Sequence, residues 1–459
     1  MKRLFIFALC LSGILAAAAQ RYTLQQLKDS ALQNNMAVRK AQYGILSAQE
    51  QRKEAFTKFF PNVSCTFLWF NANRGMAKMN MNPAEMLSPS VTTTLSQMLP
   101  PEMLLELSNP ISMSMMKKGT IASITALQPV FAGGQIINGN KLAKVGEDVS
   151  HLQLQLSENE VEKTVEQYYW QLVSLNEKLN TLDAVDSMLA SIRRDVDVAV
   201  KAGVALRNDQ LQVQLRQNDV ESQRVKVLNG ISIIKMLLAQ YCGLSTTSTA
   251  GNGTVEPSFD VVIPQADKMS ALLPEPVADG TALERLPEYQ LLQKQVEATD
   301  LQRRLAAGKN MPAVAVGAGY NYHNLLENDR TFAMIFATVS IPISDWWGGS
   351  HAIKRSKIDQ QKAIDELADN SELLRIRMQK SWNDVNESYQ QLLIAQRSID
   401  QSNENLRLNR DFYRAGTSTM SDLLQAQLLY QQALDKRTDA FADYRNKLLE
   451  YQQSTGSNR

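Results

Sequence analysis

The chain is 459 residues long and 44% hydrophobic, with 48 basic side chains against 47 acidic ones and only three cysteines. A balance this close to neutral gives a polyanion such as nucleic acid no reason to bind. Three cysteines are too few to staple a chain of this length, which excludes a disulfide-built scaffold.

Residues 1–19 read MKRLFIFALCLSGILAAAA, with a basic start at Lys2 and Arg3, an apolar run from Leu4 to Leu15 and a small-residue end. This is the pattern of a secretory signal peptide, with cleavage expected near Ala19. A lipoprotein signal on Cys10 is the competing reading, but Leu9 stands where a small residue is wanted and the apolar core before it is short. Loss of Lys2 and Arg3 leaves 46 basic and 47 acidic residues, and the remaining cysteines, Cys65 and Cys242, fall in different segments. After the signal no run of eighteen apolar residues occurs, so no membrane-spanning helix is expected. A bilayer would then be entered only as a closed β-barrel.

Residues 20–242 read as a first repeat. After Pro61, Val63, Cys65, Phe67 and Trp69 alternate with Asn62, Ser64 and Thr66, which predicts a strand over about 62–70. The segment 71–118 reads as a long loop and holds nine of the chain's eighteen methionines, between Met76 and Met116. Thioethers are soft ligands for Cu(I) or Ag(I) and also adaptable apolar filler; the lack of Cys and His in that segment favours the second use. A second strand, about 119–131, closes around Pro129 ahead of Gly133 and Gly134. Val161, Tyr168, Leu175, Leu182, Leu189 and Val196 then recur every seven residues, with Val165, Leu172 and Leu179 at the complementary position. Such heptads predict long helices packed lengthwise. An unbroken helix from Gly134 to Ala202 would be roughly 100 Å long, too long for an ordinary globular domain. The phrase AGVALRND breaks it at Gly203.

Residues 243–282, with STTSTAGNG and several prolines, read as a partly structured connector with little core of its own. Residues 283–453 read as a second repeat and 454–459 as a tail. Its strands are predicted over about 312–323 and 330–343, marked by Pro312 and Pro342, with a short turn near Leu325 to Asp329. Val314, Val316, Tyr320 and Tyr322 share one face, suited to lipid, and Ala313, Ala315, Gly317 and Gly319 the other, suited to a crowded or watery interior. The strands ending at Pro129 and Pro342 alternate poorly, so their facing stays open. Met378, Val385, Leu392, Ile399, Leu406 and Tyr413 repeat the heptad, and AGTSTMSD breaks it at Gly416.

Two offsets tie the repeats together. AGVALRNDQLQVQL at 202–215 and AGTSTMSDLLQAQL at 415–428 share Ala, Gly, Asp, Leu, two Gln and a final Leu at a displacement of 213, the distance that also separates Pro129 from Pro342. Pro61 and Pro312 are 251 apart, so the first copy carries 38 more residues between its strands. The expected fold is mainly α with a small β part, a helix-strand-strand-helix-helix unit written twice. Four strands cannot close a barrel, and an open edge in lipid leaves backbone groups unpaired. Two chains would give eight strands and a filled interior; three would give twelve and a lumen.

The duplicated unit, the prolines ahead of the strands and the two AG…D phrases resemble the TolC-like outer-membrane factor family over nearly the whole mature chain. The resemblance implies a homotrimer with a twelve-stranded β-barrel in outer-membrane lipid, continuous with a long periplasmic α-helical barrel, the connector lying at its equator. It implies the exit duct of a tripartite efflux pump, exporting drugs or other small molecules, or of a type I secretion system. Its partners would be a periplasmic adaptor and an inner-membrane pump of RND or ABC type. The two phrases would form the periplasmic gate. Gly203 and Gly416 suit the turns, and Asp209 and Asp422 suit the start of the returning helices as caps. The resemblance further implies a ring of three Asp422 carboxylates, and a hydrogen-bonded pair of Tyr413 with Asp209 that holds inner and outer hairpins together. Tyr413 also fits a plain continuation of its heptad. Gln425 stands where the family often has a second acidic residue, and Ser418 where it has a basic latch.

No catalytic phrase or cofactor motif occurs. His151, His323 and His351 lack zinc-ligand spacing, and GAGYNY at Gly317 lacks the final glycine of a dinucleotide loop. An enzyme is not expected. A periplasmic coiled-coil adaptor is the competing function, disfavoured by paired strands set between helices twice over.

Overall fold

The computed structural model describes residues 20–82, 86–244, 246–248, 255–257, 259–264, 271–276, 282–325, 329–343 and 345–457. The signal segment, parts of the connector and the centre of the turn predicted near Leu325 to Asp329 lie outside the described residues. The elements run β1 (Gln20–Tyr22), α1 (Leu24–Asn34), α2 (Met36–Thr57), β2 (Asn62–Asn71), β3 (Ala77–Met81), α3 (Pro89–Met98), α4 (Pro101–Ser108), β4 (Ile111–Met115) and β5 (Lys118–Ala132). They continue with α5 (Gln135–Lys201), α6 (Arg207–Cys242), β6 (Thr246–Ser248), β7 (Val255–Pro257), β8 (Phe259–Val261), α7 (Ala282–Arg285) and α8 (Pro287–Lys309). The last are β9 (Ala313–Asn324), β10 (Asp329–Ser340), α9 (Asp345–Arg414) and α10 (Met420–Ser454). Two compact units divide them: a helical one from the chain start to Gln49, Val145–Glu297 and Lys362–Arg459, and a sheet unit of Glu50–Lys144 and Ala298–Gln361.

In the helical unit the heptads become seams. Val161, Val165, Leu172, Leu182, Leu189 and Val196 of α5 are buried, as are Met378, Val385, Leu392 and Leu406 of α9. Midway along α5 burial spreads beyond the heptad to Glu166, Tyr169, Trp170 and Val173. There a cluster gathers Leu27 and Ala31 of α1, Leu238 and Cys242 of α6, Phe441 of α10 and Phe259 and Val261 of β8. The connector therefore contributes to the core, and β8 pairs in parallel with β1. A buried carboxylate needs partners, and Glu166 has three: Lys28 Nζ at 2.6 Å, Trp170 Nε1 at 3.1 Å and Arg445 at 3.8 Å. The same Arg445 guanidinium stacks 5.2 Å from the Trp170 ring centre.

Against the sequence expectation, α6 is long and apolar enough by composition to cross a membrane. One side of its C-terminal end joins the core, where Leu238, Ala239 and Cys242 are buried while Ile233 and Leu237 stay exposed, and Lys235 pairs with Asp260 at 3.0 Å.

The sheet unit holds an antiparallel sheet in the order β10-β9-β5-β2, so a strand of one repeat pairs with a strand of the other at its centre. Pro61 and Pro312 immediately precede β2 and β9, and Pro342 lies two residues beyond β10. Pro129 is a correction. It lies inside β5, at the register shift between Pro129 and Phe131, a bulge that tolerates a residue without an N–H. The segment predicted as a long loop contains the β3–β4 ladder and the helices α3 and α4.

Register settles the facing that alternation left open. Cys65 sits opposite Ile124, Ile124 opposite Tyr320 and Tyr320 opposite Ala333. Extended at period two, this face carries Val63, Phe67 and Trp69, Ala122 and Ala126, Val314 and Val316, and Ile335 and Val339. The opposite face is mixed, with Ser64, Thr66, Thr125, Asn321 and Thr338 among its residues. On that face the Phe336 ring lies directly over Gly317, leaving no room for a Cβ. The apolar face is open in the single chain: Ile335 is 90% exposed, and Phe67, Trp69 and Val339 are exposed with it. Such a surface needs an apolar medium or a partner.

Two outcomes are expected. Ile335→Lys should impair insertion into lipid vesicles, by about 2–4 kcal/mol if the site sits at mid-bilayer, whereas Thr338→Lys on the other face should insert normally; equal behaviour would refute the assignment of faces. In the helical unit, burial pushes the Asp435 carboxyl up to about 6 against the pull of Lys178. A raised carboxyl pKa stabilises the fold below the unfolded value and the contribution is lost as pH rises from about 4 to about 6. Asp435→Asn should flatten that part of the pH profile of thermal unfolding.

Candidate functional site: two helix hairpins

Helix α5 ends at Lys201 and α6 begins at Arg207; α9 ends at Arg414 and α10 begins at Met420. The repeated phrase builds both turns. Gly203 and Gly416 have φ of +76° and +74°, with open space where a Cβ would lie, so the glycines answer to backbone conformation alone. Gly203 N–H donates to Val200 O at 3.1 Å and Val204 N–H to Ala199 O at 2.9 Å; Gly416 N–H donates to Tyr413 O at 3.0 Å and Thr417 N–H to Phe412 O at 2.9 Å. These are paired Schellman turns, which satisfy the last carbonyls of each helix.

Three residues after each glycine comes the N-cap, and three later an aspartate. Asp422 and Thr419 form a reciprocal box: Asp422 N–H donates to Thr419 Oγ1 at 3.2 Å, and Asp422 Oδ2 accepts from Thr419 N at 3.0 Å, Thr419 Oγ1 at 2.6 Å and Ser418 Oγ at 3.2 Å. The Thr419 bonds, with a smaller effect from Ser418, hold the exposed Asp422 carboxyl below its ordinary pKa. In the first hairpin only half the box exists, because Leu206 has no side-chain acceptor; Asp209 Oδ2 accepts Leu206 N–H at 3.3 Å.

The expected Tyr413–Asp209 hydrogen bond is absent among the described residues, since the Asp209 carboxylate is turned to its own helix start. Tyr413 packs in the apolar cluster of Ile192, Val196, Val213, Leu406, Met420 and Leu423. Burial raises its hydroxyl pKa first, and the charges of Asp209 and Asp195 raise it further. Gln425 is exposed on α10. The tips differ in character: Val204 and Leu206 are 80% and 70% exposed, where the second copy has Thr417 and Thr419.

Sequence reasoning missed a polar set between the hairpins. Arg216 of α6 donates from Nε to Gln427 Oε1 at 3.0 Å and from Nη2 to Gln431 Oε1 at 2.7 Å. Gln431 Nε2 returns to Gln223 Oε1 of α6 at 2.9 Å. Of this set only Gln427 belongs to the repeated phrase, so the sequence carried little signal for it. His151, His323 and His351 lie on α5, β9 and α9, and among the described residues no group of three or more His, Cys, Asp or Glu is placed to hold a metal.

Residues 280–457 match the model of a family described as outer membrane efflux protein. No curated protein matches the chain. Among solved structures, the outer membrane protein VceC from Vibrio cholerae aligns at a TM-score of 0.69 and 12% identity, over 94% of this chain and 96% of that one. The outer-membrane channel OprN aligns at 0.72 and 15%, over 94% and 89%, and the Campylobacter jejuni CmeC outer membrane channel at 0.71 and 14%, over 94% and 85%. At these identities the structures establish a shared fold across nearly the whole chain, and the family match covers its second repeat. The chain is thus similar to outer membrane efflux proteins in sequence over residues 280–457 and to solved outer-membrane channels in fold over nearly its whole length.

Proposed function

We propose that three copies of the chain form the outer-membrane exit duct of a tripartite efflux pump or type I secretion system, gated at the two hairpins. One observation carries the reading: an antiparallel four-stranded sheet with one apolar face and with β2 and β10 left as unpaired edges. In lipid those edges must meet other strands, and β2 of one copy against β10 of the next closes twelve strands around a lumen.

On this reading three copies bring six hairpins to the periplasmic end. Asp422, exposed at the start of α10, then contributes one carboxylate per copy to a ring that attracts cations. Gln425 adds no charge to it. The exposed Val204 and Leu206 give the first hairpin an apolar tip, the kind of surface on which a periplasmic adaptor docks. The adaptor in turn joins the duct to an inner-membrane pump of RND or ABC type, which selects what is exported.

Conductance in planar bilayers tests this reading. The wild-type protein should form cation-selective channels of low resting conductance. Asp422→Asn should reduce selectivity and the block by multivalent cations, most clearly at low salt, where screening is weakest. Asn caps a helix nearly as well as Asp, so folding should be unaffected, and unaltered selectivity in an inserted protein would remove Asp422 from the pore. Because the Thr419 bonds hold the Asp422 carboxyl below its ordinary pKa, the wild-type block should be lost on acidification at a lower pH than in Thr419→Ala.

A further inference from the structure

We infer that Arg216 is the latch that holds the two hairpins of each copy together and sets the closed state of the tip. This rests on the reading of the hairpins as a gate.

Gln427 and Gln431 are one turn apart on α10 and are 0% and 3% exposed. Their carbonyl oxygens lie in line along one helix face, and the planar guanidinium of Arg216 meets both with its Nε and Nη2, a two-pronged match that a lysine ammonium does not reproduce. Gln427 Nε2 also approaches Gln431 Oε1 at 3.5 Å, and Gln431 returns a bond to Gln223 on α6. Three hydrogen bonds therefore cross between the hairpins, two of them from the half-buried Arg216. Apolar residues border the set, with Val213 and Val220 on α6 and Leu423 and Ala426 on α10.

No carboxylate takes part in these bonds. Arg216 is held by amide dipoles alone, and Asp219 acts on it only through its charge. While the hairpins touch, the buried amide oxygens depend on Arg216, because an unpaired buried acceptor is costly. Once they part, water replaces every partner at once, and the charge gains hydration. The contact is thus made or broken as a unit, which is the behaviour of a latch. With no carboxylate bonded to Arg216, it should also depend on salt less than a carboxylate ring does.

Hydrogen exchange and conductance of the full-length protein, measured side by side, test the inference. Arg216→Ala should speed amide exchange on the order of tenfold over 206–223 and 419–431, the scale of losing charge-assisted bonds, and should raise resting conductance at both low and high salt. Arg216→Lys should give a smaller change in both, and carries the same comparison if Arg216→Ala does not assemble. Unchanged exchange in these segments would overturn the latch whatever the conductance does. Faster exchange throughout the helical unit would mark a general loss of packing and overturn it as well. Faster local exchange with unchanged conductance would instead overturn the hairpins as a gate.

Discussion

The structure depends on backbone groups that have nowhere to go. A four-stranded sheet exposes an apolar face built from all four strands, so it belongs against lipid, yet β2 and β10 each end it with a row of unpaired N–H and C=O groups. In water such edges are a liability; in lipid they are excluded. Closure by further copies of the same chain removes both edges with strands already present. On the proposed reading, the oligomer is thereby a consequence of the sheet.

The helical unit answers a different constraint. Helices of 67 and 70 residues have too little propensity-driven stability to stand alone and are held by packing of their apolar stripes. Where that packing is interrupted by polar groups, the groups are matched. Glu166 is buried with Lys28, Trp170 and Arg445 around it, and Arg216 is met by Gln427 and Gln431. The first set combines opposite charges inside a large core, a rigid arrangement. The second uses neutral acceptors near the hairpin turns, an arrangement that water can replace. On the reading of the hairpins as a gate, that difference in chemistry distinguishes a fixed core from a contact that can open.

Much of this was legible in the sequence because it depends on periodicity and on residues with special backbone needs. The heptads of α5 and α9 are long enough to be unambiguous, alternation in β2 and β9 identified their apolar side, and the glycine-to-aspartate spacing is the geometry of a Schellman turn followed by a capped helix. The facing of β5 and β10 was not legible: the bulge at Pro129 shifts the register of one, and aromatic Phe332 and Phe336 share the mixed face of the other, blurring its alternation. Contacts between distant segments were hidden for the same reason, including the β1–β8 pairing and the Arg216 set, since nothing in a local window says that a glutamine on one helix faces an arginine 211 positions away. The Tyr413–Asp209 bond expected from the family resemblance gives way to local capping, because Leu206 N–H at the helix start is the partner that Asp209 reaches.

The central claim, that the sheet's open edges are closed by copies of the chain, is tested most directly by the mass of the detergent-purified protein. Light scattering corrected for bound detergent should give three times the mature chain mass, with a β-signal that persists under mild denaturation and is lost together with the trimer. A stable, membrane-inserted monomer with a complete barrel signal would contradict the account.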